Sequence, residues 1–104
     1  DMLIIRGVNL FPSQIEEFIL KTPKLSPHYV LEVSRRGHMD DLAVKVEIKP
    51  EFAASAAERE AAGRELQHHI KSYIGINTKI EVADVGAIER STGKAKRVID
   101  LRNQ

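Results

Sequence analysis

The stretch best suited to chemistry is Ile88-Glu89-Arg90-Ser91-Thr92-Gly93-Lys94-Ala95-Lys96-Arg97, which is small, polar and basic between two apolar segments. Ser91, Thr92 and Gly93 make a flexible lead-in, and Gly93 lets the backbone approach a ligand closely. Lys94 then carries a compact ammonium that can reach an anion. On composition alone, a solvated loop kept basic for solubility explains the same residues. It is not a phosphate-cradling P-loop, because the first glycine is missing and the strand–loop–helix context is wrong. Near the other end, Arg6-Gly7-Val8-Asn9 reads by itself as a hairpin turn. Of the four histidines, His68 and His69 are adjacent on a predicted helix and point about 100° apart. His28 and His38 fall at strand ends. No pair has the i,i+4 spacing of a helical zinc site, so no metal site is expected. Glu16 and Glu17 suit a helix N-terminus better than acid–base work. Nothing resembles a nucleophile elbow, and the chain has no cysteine for a thiolate ligand or nucleophile.

The chain that must position these residues has 104 residues, 42% hydrophobic and 30% charged, as expected of one globular domain. The apolar runs are far shorter than the ~20 residues of a membrane helix. No signal-peptide pattern is visible, so a cytoplasmic address is expected. The chain begins Asp1-Met2-Leu3-Ile4, which reads as a processed chain or an excised fragment. The charge is uneven. Residues 1–88 hold 11 Lys/Arg against 13 Asp/Glu, while residues 89–104 hold 5 against 2. The net −2 and net +3 recover the formal +1. Such a basic end can attract one anionic ligand. It is too small for a nucleic-acid footprint, and with no tryptophan base stacking is not expected.

Met2 to Ile5 reads as a buried strand, 6–9 as a turn and Leu10-Phe11 as the returning arm. Ser13 with Glu16 makes a capping box opening a helix with Ile15, Phe18 and Ile19 on one face. Thr22-Pro23 ends it. Tyr29, Leu31 and Val33 alternate with polar residues as a strand, and Arg36-Gly37-His38 is a turn. Leu42, Val44, Val46 and Ile48 alternate with Lys45, Glu47 and Lys49, the pattern of a half-buried antiparallel strand. Ser55 and Glu58 open a longer helix whose stripe is Ala62, Leu66, Ile70 and Tyr73 or Ile74, closed by Gly75. Ile80 and Val82 make another strand, and Val98, Ile99 and Leu101 a last short one. The order β-α-β-β-α-β predicts an α+β two-layer sandwich, two helices on one face of an antiparallel-rich sheet, with a basic C-terminal tail.

Taken together, the two ends carry a resemblance. Asp1 through Glu16, with Ile5-Arg6-Gly7-Val8-Asn9-Leu10-Phe11-Pro12 at its centre, resembles the opening of the C-terminal domain of the phenylacetate–CoA ligases, a branch of the adenylate-forming acyl-CoA synthetases. Arg90 through Arg102, containing Ser91-Thr92-Gly93-Lys94, resembles the closing signature of the same domain. The opening is specific to that branch; the Ser-x-Gly-Lys tail is shared across the superfamily. The sequence departs from its relatives at Glu89, where a proline is common, and at Asn9, where several carry arginine.

The resemblance implies a mobile lid that serves two steps. An acid and ATP first give an acyl-adenylate and pyrophosphate; coenzyme A then displaces AMP. Lys94, with Ser91, Thr92 and Gly93 as its nucleotide loop, would enter the adenylation site. Gly7, Val8 and Asn9 would line the path of the CoA thiol. The hinge aspartate would fall at Asp1 or just before it. The implied division is a hairpin over 1–11, a sandwich over 12–83 and a lysine loop and tail over 84–104. ATP and CoA are substrates, and Mg2+ would be bound by an N-terminal adenylation domain outside this chain. That domain of the same polypeptide, ATP/AMP, coenzyme A and an aryl-acetic acid are the expected partners, with a homodimer allowed and neither nucleic acid nor membrane. The fragment alone should be inactive. Two alternatives remain at this stage: the lid of a related adenylating ligase, such as a coenzyme F390 synthetase-like enzyme, or a stand-alone ferredoxin-like module that senses a small ligand.

Overall fold

The structure, a computed structural model, describes residues 2–88 and 97–102. Strands β1 (Leu3–Ile5) and β2 (Val8–Leu10) form a two-stranded antiparallel sheet, with Ile5 opposite Val8. Helix α1 (Pro12–Leu20) follows directly. Strands β3 (Leu25–Arg36) and β4 (Met39–Ile48) form a long antiparallel hairpin, with a register shift between Leu25 and Tyr29. Helix α2 (Ala56–Tyr73) leads to β5 (Lys79–Ala83), and β6 (Val98–Asp100) comes last. The second sheet runs β5-β4-β3-β6.

The α+β, two-helix expectation is borne out. Within it the four-stranded sheet is mixed: β3 and β4 are antiparallel, but β5 lies parallel to β4 and β6 parallel to β3. Helix α2 is the crossover between β4 and β5, and a crossover returns the chain in the same direction. The core lies between the helices and this sheet. Ile15 and Ile19 of α1 and Ala62, Leu66 and Ile70 of α2 meet Leu31, Val33, Val44, Val46 and Ile48. Leu3, Ile5 and Leu10 join the same core, so the small hairpin is fastened to the sandwich.

Local details differ from the sequence reading. The cap of α1 is Phe11, whose N–H donates to Gln14 Oε1 at 2.8 Å, while Gln14 N donates to Phe11 O at 2.9 Å. Pro12 takes the first helical position, where its missing N–H costs nothing. That shifts the start by two residues and frees Glu16 from the expected capping box. The box of α2 forms only in half: Ser55 Oγ accepts from Glu58 N at 3.2 Å, but the Glu58 carboxylate turns to Lys24 Nζ at 2.6 Å. Of the two candidates ending the α2 stripe, Ile74 packs on the core, while Tyr73 is 76% exposed and stacks on Phe18.

Candidate functional site

The hairpin turn is built from two residues, Arg6 with φ 51° and Gly7 with φ 78°. Positive φ at both central positions is the geometry of the turn that matches the right-handed twist of paired strands. Asn9, read with the turn in the sequence, lies in β2, exposed, opposite Ile4. Val8 packs against the core. A Cβ added at Gly7 would meet nothing within 4 Å, so the turn's backbone faces open space. The constraint on Gly7 within this domain is its dihedral angle, not crowding.

A cluster of arginines and aspartates holds this turn. Arg6 Nε donates to Asp40 O at 2.8 Å, and its Nη2 meets Asp41 Oδ1 at 2.6 Å. Arg36 also reaches Asp41, and Arg35 Nε donates to Asp40 Oδ1 at 2.9 Å. From the chain's end, Arg102 Nη1 donates both to Ile4 O at 2.9 Å and to Asp40 Oδ2 at 3.1 Å. The same guanidinium grips Asp100 through Nε at 3.0 Å and Nη2 at 2.9 Å. The β1–β2 hairpin, the tip of β3–β4 and the tail are thereby joined. The hydrogen bonds from Arg102 pull the Asp100 carboxyl down to about 2. Asp40 is held below the usual carboxylate range chiefly by Arg35, and Asp41 chiefly by Arg6. Every guanidinium of this cluster is paired with a carboxylate, so the cluster acts as scaffold.

The stretch carrying Ser91, Thr92, Gly93 and Lys94 lies outside the described residues, as does Asp1. Its flanks are described. After β5 the chain turns at Asp84–Ala87, with Ala87 N donating to Asp84 O at 3.1 Å and Gly86 at φ 85°. That positive φ at the third residue is the type II arrangement, which favours glycine. The turn lies over β4, where Glu47 accepts from Gly86 N and from Ile88 N, each at 2.9 Å. On the far side, Arg97 Nη1 meets Glu16 Oε1 at 2.6 Å and its guanidinium lies 5.2 Å from the centre of the Tyr29 ring. Tyr29 OH donates to the same Glu16 oxygen at 3.1 Å. Burial, and then the nearby Glu16 carboxylate, raise the Tyr29 phenol above its usual range.

Two of these residues were misread in the sequence. Glu47 counts as solvent-facing in the alternation of β4, yet it is 1% exposed, because residues 84–88 cover that face. Glu16 reads as a helix-start acid, yet it joins Arg97, 81 positions away, to Tyr29. No local signal marks either one. The histidines do not converge: His69 stacks on Phe18 and approaches Glu65, and His68 lies beside it. Among the described residues no group of three His, Asp or Glu side chains is placed to hold a metal ion. No helix among them is long and apolar enough to cross a membrane.

Comparison with known proteins follows the same lines. The family described as AMP-binding enzyme C-terminal domain matches residues 7–102. The phenylacetate–coenzyme A ligase of Aromatoleum evansii is 59% identical over 98% of this chain, and that of Escherichia coli K12 is 56% identical over 99%. In both, the match covers 24% of the relative, so the chain spans about a quarter of the length of the curated relatives it matches. A crystallised domain of phenylacetate–coenzyme A ligase from Bacteroides vulgatus superposes with a TM-score of 0.88 at 32% identity, covering 98% of this chain and 93% of that one. A 2-hydroxyisobutyryl-CoA ligase, solved with 2-HIB-AMP and CoA in the thioesterification state, gives 0.89 at 34% identity, covering 98% of this chain and 21% of that one. The chain belongs to the AMP-binding enzyme C-terminal domain family, on its phenylacetate–coenzyme A ligase branch.

Proposed function

We propose that this chain is the C-terminal lid of an ATP-dependent phenylacetate–CoA ligase, with Lys94 serving acyl-adenylate formation and the Gly7–Asn9 hairpin serving thioester formation. The observation that carries the reading is the extent of the family match. It runs from Gly7 to Arg102, so Gly7–Asn9 and the basic stretch both lie within one recognised domain. A stand-alone regulatory module accounts for the element order but not for that match.

In the first step the acid's carboxylate attacks the α-phosphate of ATP and pyrophosphate leaves. Negative charge gathers at the attacked phosphate, and Lys94 supplies a compact cation there. A unit charge pair at ~4 Å and an effective dielectric of about 20 interacts by roughly 4 kcal/mol. Acting only in the transition state, that is worth about a thousandfold in rate. In the second step the CoA thiol attacks the acyl carbonyl and AMP leaves. The open backbone at Gly7 suits close passage of a narrow chain such as pantetheine, because no side chain among the described residues occupies that space. A lid that turns between the steps withdraws the lysine and keeps water out of both closures. Magnesium accompanying ATP would take its ligands from the adenylation domain.

The test is Lys94→Ala in the full-length enzyme. Acyl-adenylate formation, followed by pyrophosphate exchange with phenylacetate, should fall about a thousandfold. Thioester formation from supplied phenylacetyl-adenylate should persist. Survival of both half-reactions would show the lysine assignment to be wrong. A panel of carboxylic acids in the same assay identifies the substrate, which a lid contacts little.

A further inference from the structure

Glu47 is a carboxylate with almost no exposure, set on the outer face of β4. Burying a charge is unfavourable unless hydrogen bonds compensate it. Here one carboxylate oxygen receives Gly86 N and the other Ile88 N, both at 2.9 Å. Neutral side chains would fill the same space without that desolvation. What the carboxylate adds is direction: it holds two alternate amides of the chain as it leaves the Asp84–Ala87 turn, up to Ile88. The basic stretch begins at the next residue. The chain emerging from that stretch is fastened at Arg97 by Glu16 and the Tyr29 ring.

We propose that Glu47 is a positioning residue for acyl-adenylate formation, fixing the chain at Gly86 and Ile88 so that the segment bearing Lys94 departs from a set point on β4. The inference rests on the reading of Lys94 given above. It assigns Glu47 no contact with substrate. It separates the two half-reactions structurally, because the hairpin is held by a different set of groups, the Arg6–Asp41 and Arg102–Asp40 contacts.

The experiment uses the full-length ligase carrying Glu47→Gln, which keeps the side-chain shape but removes one of the two acceptors. Pyrophosphate exchange with phenylacetate and thioester formation from supplied phenylacetyl-adenylate are measured on the same preparation. Only folded enzyme contributes to either rate, so their ratio is independent of the folded fraction. Misplacing a reacting group from a distance can cost up to ~100-fold, so the adenylation rate should fall about 10- to 100-fold relative to the thioester rate. An unchanged ratio, whether both rates fall together or neither falls, overturns the proposal. If Glu47→Gln yields no folded enzyme, Gly86→Ala disturbs the same clasp from the other side. Its φ of 85° disfavours a side chain, while the added Cβ meets nothing within 4 Å. The same shift in ratio is expected, and its absence is equally decisive. Lys94→Ala is run in parallel. If Lys94→Ala spares adenylation, the lysine reading fails and the Glu47 role falls with it. If Lys94→Ala cripples adenylation while the Glu47 and Gly86 variants keep the wild-type ratio, only the Glu47 role fails.

Discussion

Replacing Arg102 with methionine should detach the tail from the hairpin, and the cost can be worked from the contacts. The Arg102 side chain is 16% exposed, and its guanidinium makes bonds to Asp100, Asp40 and the Ile4 carbonyl. Its Asp100 pair is local and partly open, so it resembles surface ion pairs worth about 0.2–1 kcal/mol. The contact with Asp40 ties the tail to the tip of β3–β4, and the charge-assisted bond to Ile4 O, worth about 1.5 kcal/mol, ties it to the hairpin. Methionine retains much of the apolar stem. The expected loss is about 2 kcal/mol, or about 8–16 °C in Tm for a domain of this size. The assay is urea and thermal unfolding of the 104-residue chain at neutral pH. Arg64→Ala, which removes an exposed i,i+4 pair with Glu60, serves as the control. The pH dependence adds a second check. The Asp100 carboxyl lies near 2 in the folded chain against an ordinary 3.8, with Arg102 the first cause. A depressed carboxylate stabilises the folded state above its unfolded value, and this contribution is lost as pH falls through the folded one. The gap between wild type and Arg102→Met should therefore be full at neutral pH and close between about pH 4 and pH 2. A gap no larger than that of Arg64→Ala, or one that widens in acid, would refute the reasoning.

Gly7→Ala should cost about 1–2 kcal/mol of stability through its positive φ alone, because the added methyl group meets nothing within 4 Å among the described residues. Chemical denaturation measures that cost, and a neutral result would mean that the turn rearranges freely. Leu66→Ala, at a fully buried position in α2, should cost about 2–5 kcal/mol with an unchanged fold by circular dichroism. A loss below about 1 kcal/mol would place Leu66 outside the core.

The elements were legible where periodicity was strong. The alternation from Leu42 to Ile48 and the stripe Ala62-Leu66-Ile70 each mark one buried face, and the structure buries those residues. Element edges were less legible. Ser13 and Glu16 match a capping pattern, but Pro12 suits the first helical turn and Gln14 reaches the Phe11 amide, so the helix starts earlier. The hairpin near Gly7 was visible, though its positive dihedrals fall on Arg6 and Gly7, with Asn9 left in the strand. The residues of the basic stretch were identified by type and by resemblance, and those from 89 to 96 lie outside the described residues.

Sequence alone determined the α+β class, the order of elements, the core stripes and the family likeness, because each depends on short-range periodicity or on motifs contiguous in the chain. Tertiary structure decided the parallel flanks of the sheet, the burial of Glu47, the meeting of Glu16 with Arg97 and the convergence of Arg6, Asp40 and Arg102. These join residues 34 to 98 positions apart, as in Arg6 with Asp40 and Arg102 with Ile4. A charged side chain looks the same in a sequence whether it faces water or a partner. Only the folding of distant backbone over it, as residues 84–88 fold over β4, determines which.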